Sequence, residues 1–174
     1  DGLILLGYGD YLEYRPRLEQ LVRQGTHFVR WGSVQPDQLG CTVGSDNVGG
    51  GLAATRHLIT RGYRRIAFIG TASAGSPEFL DRCDGWRAAL AEAGLAADAA
   101  LMRDATSCEE DGFAAAQSLI MADRPFDAIF CASDLIAIGA MRALADAGRR
   151  VPQDVAVVGF DDQPAASLTS PPLT

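Results

Sequence analysis

Short apolar runs in this chain repeatedly give way to Gly, Ser or Ala and then to a carboxylate or hydroxyl. The stretches are Gly7-Tyr8-Gly9-Asp10, Gly44-Ser45-Asp46-Asn47, Gly70-Thr71-Ala72-Ser73, Ala132-Ser133-Asp134 and Gly159-Phe160-Asp161-Asp162. Loops that follow parallel strands gather at one edge of a sheet, beside helix N-termini whose N–H groups point inward. Residues there can converge on one ligand. Carboxylates so placed accept hydrogen bonds from hydroxyls and amines, which suits a polyhydroxylated or amine-bearing small molecule. The expected site lies around Arg82, Asp134 and Asp161.

All but one of these residues also have a plainer role. Asp134 precedes a helical stretch and serves equally well as its N-cap. Asp162, followed by Gln163 and Pro164, reads as a turn residue. Arg82 stands among Glu78, Asp81 and Asp84, where a solvated ion pair worth about 0–1 kcal/mol is the alternative. Asp161, directly after a strand and an aromatic residue, has no evident structural task.

Catalytic patterns are missing. Gly7-Tyr8-Gly9 is a fragment and Gly49-Gly50-Gly51 lacks dinucleotide spacing, while the P-loop, the G-x-S-x-G elbow and the H-E-x-x-H motif do not occur. His27 and His57 have no nucleophile beside them. Cys41, Cys83, Cys108 and Cys131 are scattered without a C-x-x-C pair, so neither zinc nor a redox centre is expected. The expectation is a binding module with no cofactor and no metal, and not an enzyme.

The elements that would position such a site alternate in the manner of an α/β parallel-sheet protein. Strands are predicted at Leu3–Leu6, Phe28–Trp31, Ile66–Ile69, Ala128–Cys131 and Val155–Val158, with weaker ones at Cys41–Val43 and Ala100–Met102. Leu52, Thr55, Leu58 and Ile59 mark the face of a helix that stops at Arg61-Gly62. Similar faces precede Gly94 and Gly148, and another runs from Phe113 to Ile120. A division is expected at Tyr63/Arg64, where a fresh β-α-β series begins. Residues 1–63 would then belong to one lobe, 64–170 to a second and 171–174 to a crossover back, with the ligand in the cleft between.

With 174 residues, 48% of them hydrophobic, the chain can bury a substantial core. A net charge of -7 argues against this segment gripping a polyanion. No apolar run approaches membrane-spanning length, and residues 1–6 lack signal-peptide character, so a reduced cytoplasmic setting fits the cysteines best. Both ends are abrupt, and the chain is expected to be part of something larger.

The whole chain resembles the LacI/GalR type of transcriptional regulator. The resemblance rests on Val151-Pro152-Gln153-Asp154 running into Gly159-Phe160-Asp161-Asp162, with Ser170-Pro171-Pro172-Leu173-Thr174 closing it. It also rests on Ser45-Asp46-Asn47 with Gly50-Gly51, Gly62-Tyr63-Arg64-Arg65-Ile66, Arg82 before Gly85-Trp86, and Ser133-Asp134 before Ala137-Ile138-Gly139-Ala140. It implies a periplasmic-binding-protein-like (type I) effector domain of two doubly wound lobes, both present here as parts of a larger domain. Such a domain would sense a small effector, a sugar above all, as a cytoplasmic homodimer, probed against the alternative of a periplasmic solute-binding protein of a sugar transporter. Operator DNA would be contacted only through a helix-turn-helix head, which residues 1–174 do not contain. The implied effector contacts are Asp161, Arg82, Ser133 and Asp134, with Tyr8, Asp46, Ser107 and Phe160 around the cleft. Ser107 occupies a place where some relatives put an aromatic wall, which weakens the case for ring stacking. Ile138 and Leu168 are the implied dimer contacts, with ordinary core packing as the alternative.

Overall fold

The computed structural model describes residues 2–6, 11–73, 75–122 and 124–174. Among these, seven strands and five α-helices follow one another as β1 (Leu3–Leu6), α1 (Tyr11–Arg23), β2 (Phe28–Trp31), β3 (Cys41–Val43), α2 (Asn47–Thr60), β4 (Ile66–Ile69), α3 (Pro77–Glu92), β5 (Met102–Arg103), α4 (Glu109–Met121), β6 (Ala128–Cys131), α5 (Asp134–Asp146) and β7 (Ala156–Val158). The strands form two parallel sheets, one ordered β1-β2-β3 and the other β5-β4-β6-β7.

The second sheet holds the main core. Its three longest-paired strands, β4, β6 and β7, are buried along their whole length, as the continuous apolar runs Ile66-Ala67-Phe68-Ile69 and Ala128-Ile129-Phe130-Cys131 require. Phe68 and Phe130 are register partners with ring centroids 5.7 Å apart, and Trp86 of α3 lies 5.8 Å from Phe68. The Trp86 indole donates to the Ile66 carbonyl at 3.2 Å, so this large side chain is buried without an orphaned polar atom. From β4 the chain winds first to β5 and then back past β4 to β6 and β7. Right-handed crossovers therefore put α3 on one face and α4 and α5 on the other, and make the β4/β6 carboxyl edge the switch point where a crevice opens.

The helix stops follow the expected grammar. Gly62, Gly94 and Gly148, each just past a helix, have φ of 99°, 67° and 70°, values that a residue without a Cβ takes at little cost.

Three features differ from expectation. Helix α1 was not predicted, because it carries Pro16 in its interior and buries only Leu18, so no apolar stripe announces it. The expected strand Ala100–Met102 starts later: Asp98 accepts from the Ala100 N–H and turns Ala99–Leu101 into a 3-10 helix, leaving β5 at Met102–Arg103. Helix α2, placed with the first lobe by a division at Tyr63/Arg64, packs on the second sheet instead. Its buried residues Gly51, Thr55 and Leu58 face α3, and Leu58 joins the core of Trp86 and Ile66. Gly51 rests against the Arg82 carbonyl and Gly85 against that of Val48, so the two backbones are in direct contact.

The first sheet has less cover. Leu18 of α1 and Phe28 are buried beneath it, whereas Leu3, Ile4, Leu6, Val29, Trp31 and Val43 are exposed. No helix among the described residues is long and apolar enough to cross a membrane.

Because a methyl group on Gly51 would land on the Arg82 carbonyl, Gly51→Ala is expected to destabilise the protein by about 1–3 kcal/mol through forced separation of α2 and α3. Urea unfolding followed by circular dichroism measures this, and an unchanged midpoint would contradict the close packing.

Candidate functional site

Arg82 sits one turn into α3, where its side chain crosses the carboxyl edge of the second sheet and is only 8% exposed. Its Nε donates to Asn47 Oδ1 at 2.9 Å, and Nη1 donates to the carbonyl of Ala132 just beyond β6. The same Nη1 lies 3.4 Å from Asp161 Oδ1. The guanidinium carbon is 3.7 Å from the centroid of the Phe160 ring and 5.4 Å from that of Phe79. One cation thus collects the start of α2, the end of β6, the loop after β7 and its own helix. A solvated pair with Asp81 or Asp84 is not what forms. Asp84 pairs with Arg87, and Asp81 faces Ser33.

Burial lowers the Arg82 pKa, against the opposing pull of Asp161 and Glu78. Burial likewise pushes the Asp161 carboxyl above its ordinary range; Arg82 opposes that push and Asp134 reinforces it. Asp161 has a φ of 107°, a conformation that costs a side-chain-bearing residue about 1–3 kcal/mol. Its side chain nevertheless remains about one-third exposed, so one face of the carboxylate is open.

That face looks into a cleft of about 500 Å³ between the two sheets. Trp31 at the end of β2 contributes from the first sheet, and Asn47, Glu78, Phe79, Arg82, Ser107 and Asp161 contribute from the second. Beside the cleft, the segment after β2 is fastened to the first turn of α3. The Ser33 N–H donates to Glu78 Oε1 at 3.1 Å, Ser33 Oγ donates to Asp81 Oδ2 at 2.6 Å, and Gln35 Nε2 donates to Asp81 at 3.2 Å. These contacts clasp the two sheets together.

The sequence-predicted residues fare unequally. Asp161, Arg82 and Ser107 line the cleft. Ser133, expected as a contact, is fully buried: its Oγ caps α5 by accepting from the Ile136 N–H and also accepts from Ser107 Oγ at 3.1 Å. Ser107 stands between it and the cavity. Asp134 is also buried, as the first residue of α5 rather than its cap, and Oδ2 accepts from the Gln163 N–H at 2.7 Å while its own N–H donates to Phe160 O at 2.9 Å. It holds the loop that carries Asp161. Asp46 caps α2 by accepting from the Gly49 N–H at 2.8 Å, outside the main cleft. Phe160 lies beneath Arg82 and against Gly50, where a side chain would collide with its ring. Tyr8 lies outside the described residues. Ile138 is half-buried on α5, and Leu168 is 83% exposed, which removes core packing as its explanation.

Trp31, Glu78 and Phe79 were not anticipated as lining residues, whereas Asn47 belongs to the strand-end stretch Gly44-Ser45-Asp46-Asn47 that was. Trp31 was reachable by the strand-end rule applied to β2, and Glu78 and Phe79 by helical spacing, since they lie four and three residues before Arg82 on one face. With Trp31 and Phe79 present, the missing aromatic at Ser107 leaves the cleft with two rings from other elements. The Cys83 thiol is buried and pushed up to about 11, and burial raises Cys131 as well, so both stay protonated.

Asp134→Ala leaves the Gln163 N–H without its acceptor and is expected to cost about 1–3 kcal/mol of stability. Guanidinium unfolding checks it; a loss below a few tenths of a kcal/mol would show that the loop does not depend on this carboxylate.

Residues 55–174 match the family described as periplasmic binding protein-like domain. The chain is 42% identical to the HTH-type transcriptional regulator CelR of Thermobifida fusca over its whole length, and 32% identical to the HTH-type transcriptional repressor PurR of Vibrio atlanticus, covering 51% of each relative. It therefore spans about half the length of these curated relatives. Among solved structures it resembles a transcriptional regulator CelR–cellobiose complex, with 38% identity, a TM-score of 0.88 and coverage of 99% of this chain and 52% of the other. It also resembles a LacI-family regulatory protein from Chloroflexus aggregans, with 32% identity, a TM-score of 0.89 and coverage of 99% and 61%. With its two parallel sheets, its cleft and these relatives, the chain belongs to the LacI/GalR family of transcriptional regulators and is part of their periplasmic-binding-protein-like effector-binding domain.

Proposed function

We propose that this chain is the sensing part of a cytoplasmic repressor that binds a small saccharide between its two sheets and thereby controls operator binding by a helix-turn-helix head elsewhere in the protein. The observation that carries this reading is the pairing, across one cleft, of exposed Trp31 with the fixed Arg82–Asp161 couple. An indole face receives the apolar face of a pyranose, and an open carboxylate edge accepts from its hydroxyls. The relative in complex with cellobiose supports a sugar as ligand.

In this mechanism the two sheets act as lobes, and the saccharide favours one orientation of them by touching both. It shifts that equilibrium only by its differential affinity for the two arrangements. The clasp from Ser33 and Gln35 to Glu78 and Asp81 is the contact such a motion would make and break. Exposed Leu168, together with half-buried Ile138, forms part of a face that a second copy covers in the homodimer. The effector is then read by a pair of subunits.

Asp161→Ala is expected to abolish saccharide binding while leaving a folded protein, as measured by calorimetry and thermal melting; unchanged affinity would sink the site assignment. For the unaltered protein, affinity should be full at neutral pH and fall as acid protonates Asp161, at a pH above the ordinary carboxylate range because burial raises this group. Asp161→Asn should remove that step from the calorimetric pH profile.

A further inference from the structure

Asn47 is the first residue of α2, only 3% exposed, and both ends of its amide are occupied. Oδ1 accepts from Arg82 Nε at 2.9 Å, and Nδ2 donates to the Ser45 carbonyl at 3.2 Å. The two bonds lead to different parts of the molecule. Ser45 belongs to Gly44-Ser45-Asp46, the connector by which the chain leaves β3 of the first sheet and enters α2 on the second. This connector is pressed against the end of β2: the Gly32 N–H donates to the Val43 carbonyl at 3.1 Å, and a Cβ on Gly44 would strike the Gly32 carbonyl. Asn47 therefore joins the passage between the sheets to the arginine that lines the cleft. Arg82 needs an acceptor at this position and Ser45 needs a donor. Among side chains of this length only the amide offers both, since a carboxylate cannot donate and a leucine does neither.

A guanidinium is a rigid planar fork, so fixing two of its nitrogens sets the direction of the third. In Arg82, Asn47 holds Nε, while the Ala132 carbonyl and Asp161 hold Nη1. Nη2 has no partner among the described residues and is not one of their sealed, unpartnered polar atoms. It is the donor left for a molecule in the cleft. We propose that Asn47 is a positioning residue for effector binding, whose amide aims Arg82 Nη2 and ties that aim to the connector between the sheets. The proposal rests on the reading that the effector occupies this cleft. Reorienting the sheets displaces the Ser45 carbonyl, which turns the amide and swings the guanidinium, so Arg82 meets its ligand squarely in one arrangement of the sheets. Part of the differential affinity that a switch requires then arises from how Arg82 is aimed.

The test uses isotope-labelled full-length protein and a panel of neutral mono- and disaccharides. Nuclear magnetic resonance follows the Arg82 Nε–H signal, identified by its absence from Arg82→Lys, and calorimetry gives affinities. In Asn47→Ala, with its fold checked by circular dichroism, this N–H is expected to exchange with water about tenfold faster. The best-bound sugar should bind the same variant about tenfold more weakly, as the loss of a charge-assisted hydrogen bond implies. Asn47→Asp, which keeps an acceptor for Nε but cannot donate to Ser45, should restore the protection and recover only part of the affinity. If the alanine variant does not fold, Asn47→Ser, one bond shorter, serves in its place. Unchanged exchange would overturn the proposal, and so would faster exchange with unchanged affinity. Full recovery of affinity in Asn47→Asp would remove the connector from it. If no sugar binds, the saccharide reading fails, while the exchange measurement, which needs no ligand, still decides whether Asn47 holds Arg82.

Discussion

The carboxyl edge of the second sheet is organised around a buried guanidinium. An arginine taken largely out of water needs partners for its donors, and Arg82 finds them for Nε and Nη1 in segments far apart in the chain: Asn47, the Ala132 carbonyl and Asp161. Its flat faces add Phe160 and Phe79. Because each partner is separately fixed, Asn47 by the start of α2 and Asp161 by a loop that Asp134 tethers, the cation has one place to be. The cleft inherits its shape from that requirement. Glycines at positions 50 and 51 serve the same end by letting the Phe160 ring and the α3 backbone approach α2 closely.

Much of this was legible before any coordinates. Strands Ile66–Ile69 and Ala128–Cys131 coincide with the apolar runs that announced them, because a parallel strand buried on both faces has little choice of composition, and Phe28–Trp31 falls where expected although its residues alternate between buried and exposed. Asp161 and Arg82 were identifiable from strand-end geometry and family resemblance together. Burial of a particular side chain was harder to foresee. Ser133 and Asp134 occupy the right loop, yet both turn inward to satisfy backbone groups, and nothing in their residue types distinguishes a capping hydroxyl or carboxylate from one that faces a ligand. Helix α1 was hidden for a related reason, since a helix that buries one leucine leaves almost no periodic trace. The placement of α2 depended on which sheet its apolar face would meet. That is a tertiary fact, and the stop signal at Arg61-Gly62 marks only the end of a helix, not the edge of a lobe.

The two sides of the cleft also differ in how they are built. The second-sheet wall rests on a fully buried core, with Trp86, Phe68 and Phe130 packed beneath the strands whose ends form it. The first-sheet wall presents Trp31, half exposed, at the end of β2. Between them the clasp consists of hydrogen bonds from one backbone N–H and two side chains to carboxylates, individually modest in net worth.

The direct backbone contact between α2 and α3 at Gly51 and Gly85 has a thermodynamic consequence. Where helices touch without intervening side chains there are few rotamers left to freeze, so the wall that carries Arg82 is ordered before any ligand arrives. The conformational entropy lost on binding must then come chiefly from the Trp31 side and the clasp. Affinity would be set largely by the second sheet and the cost of ordering by the first, an asymmetry that lets sequence change in one wall tune selectivity while change in the other tunes the strength of the response.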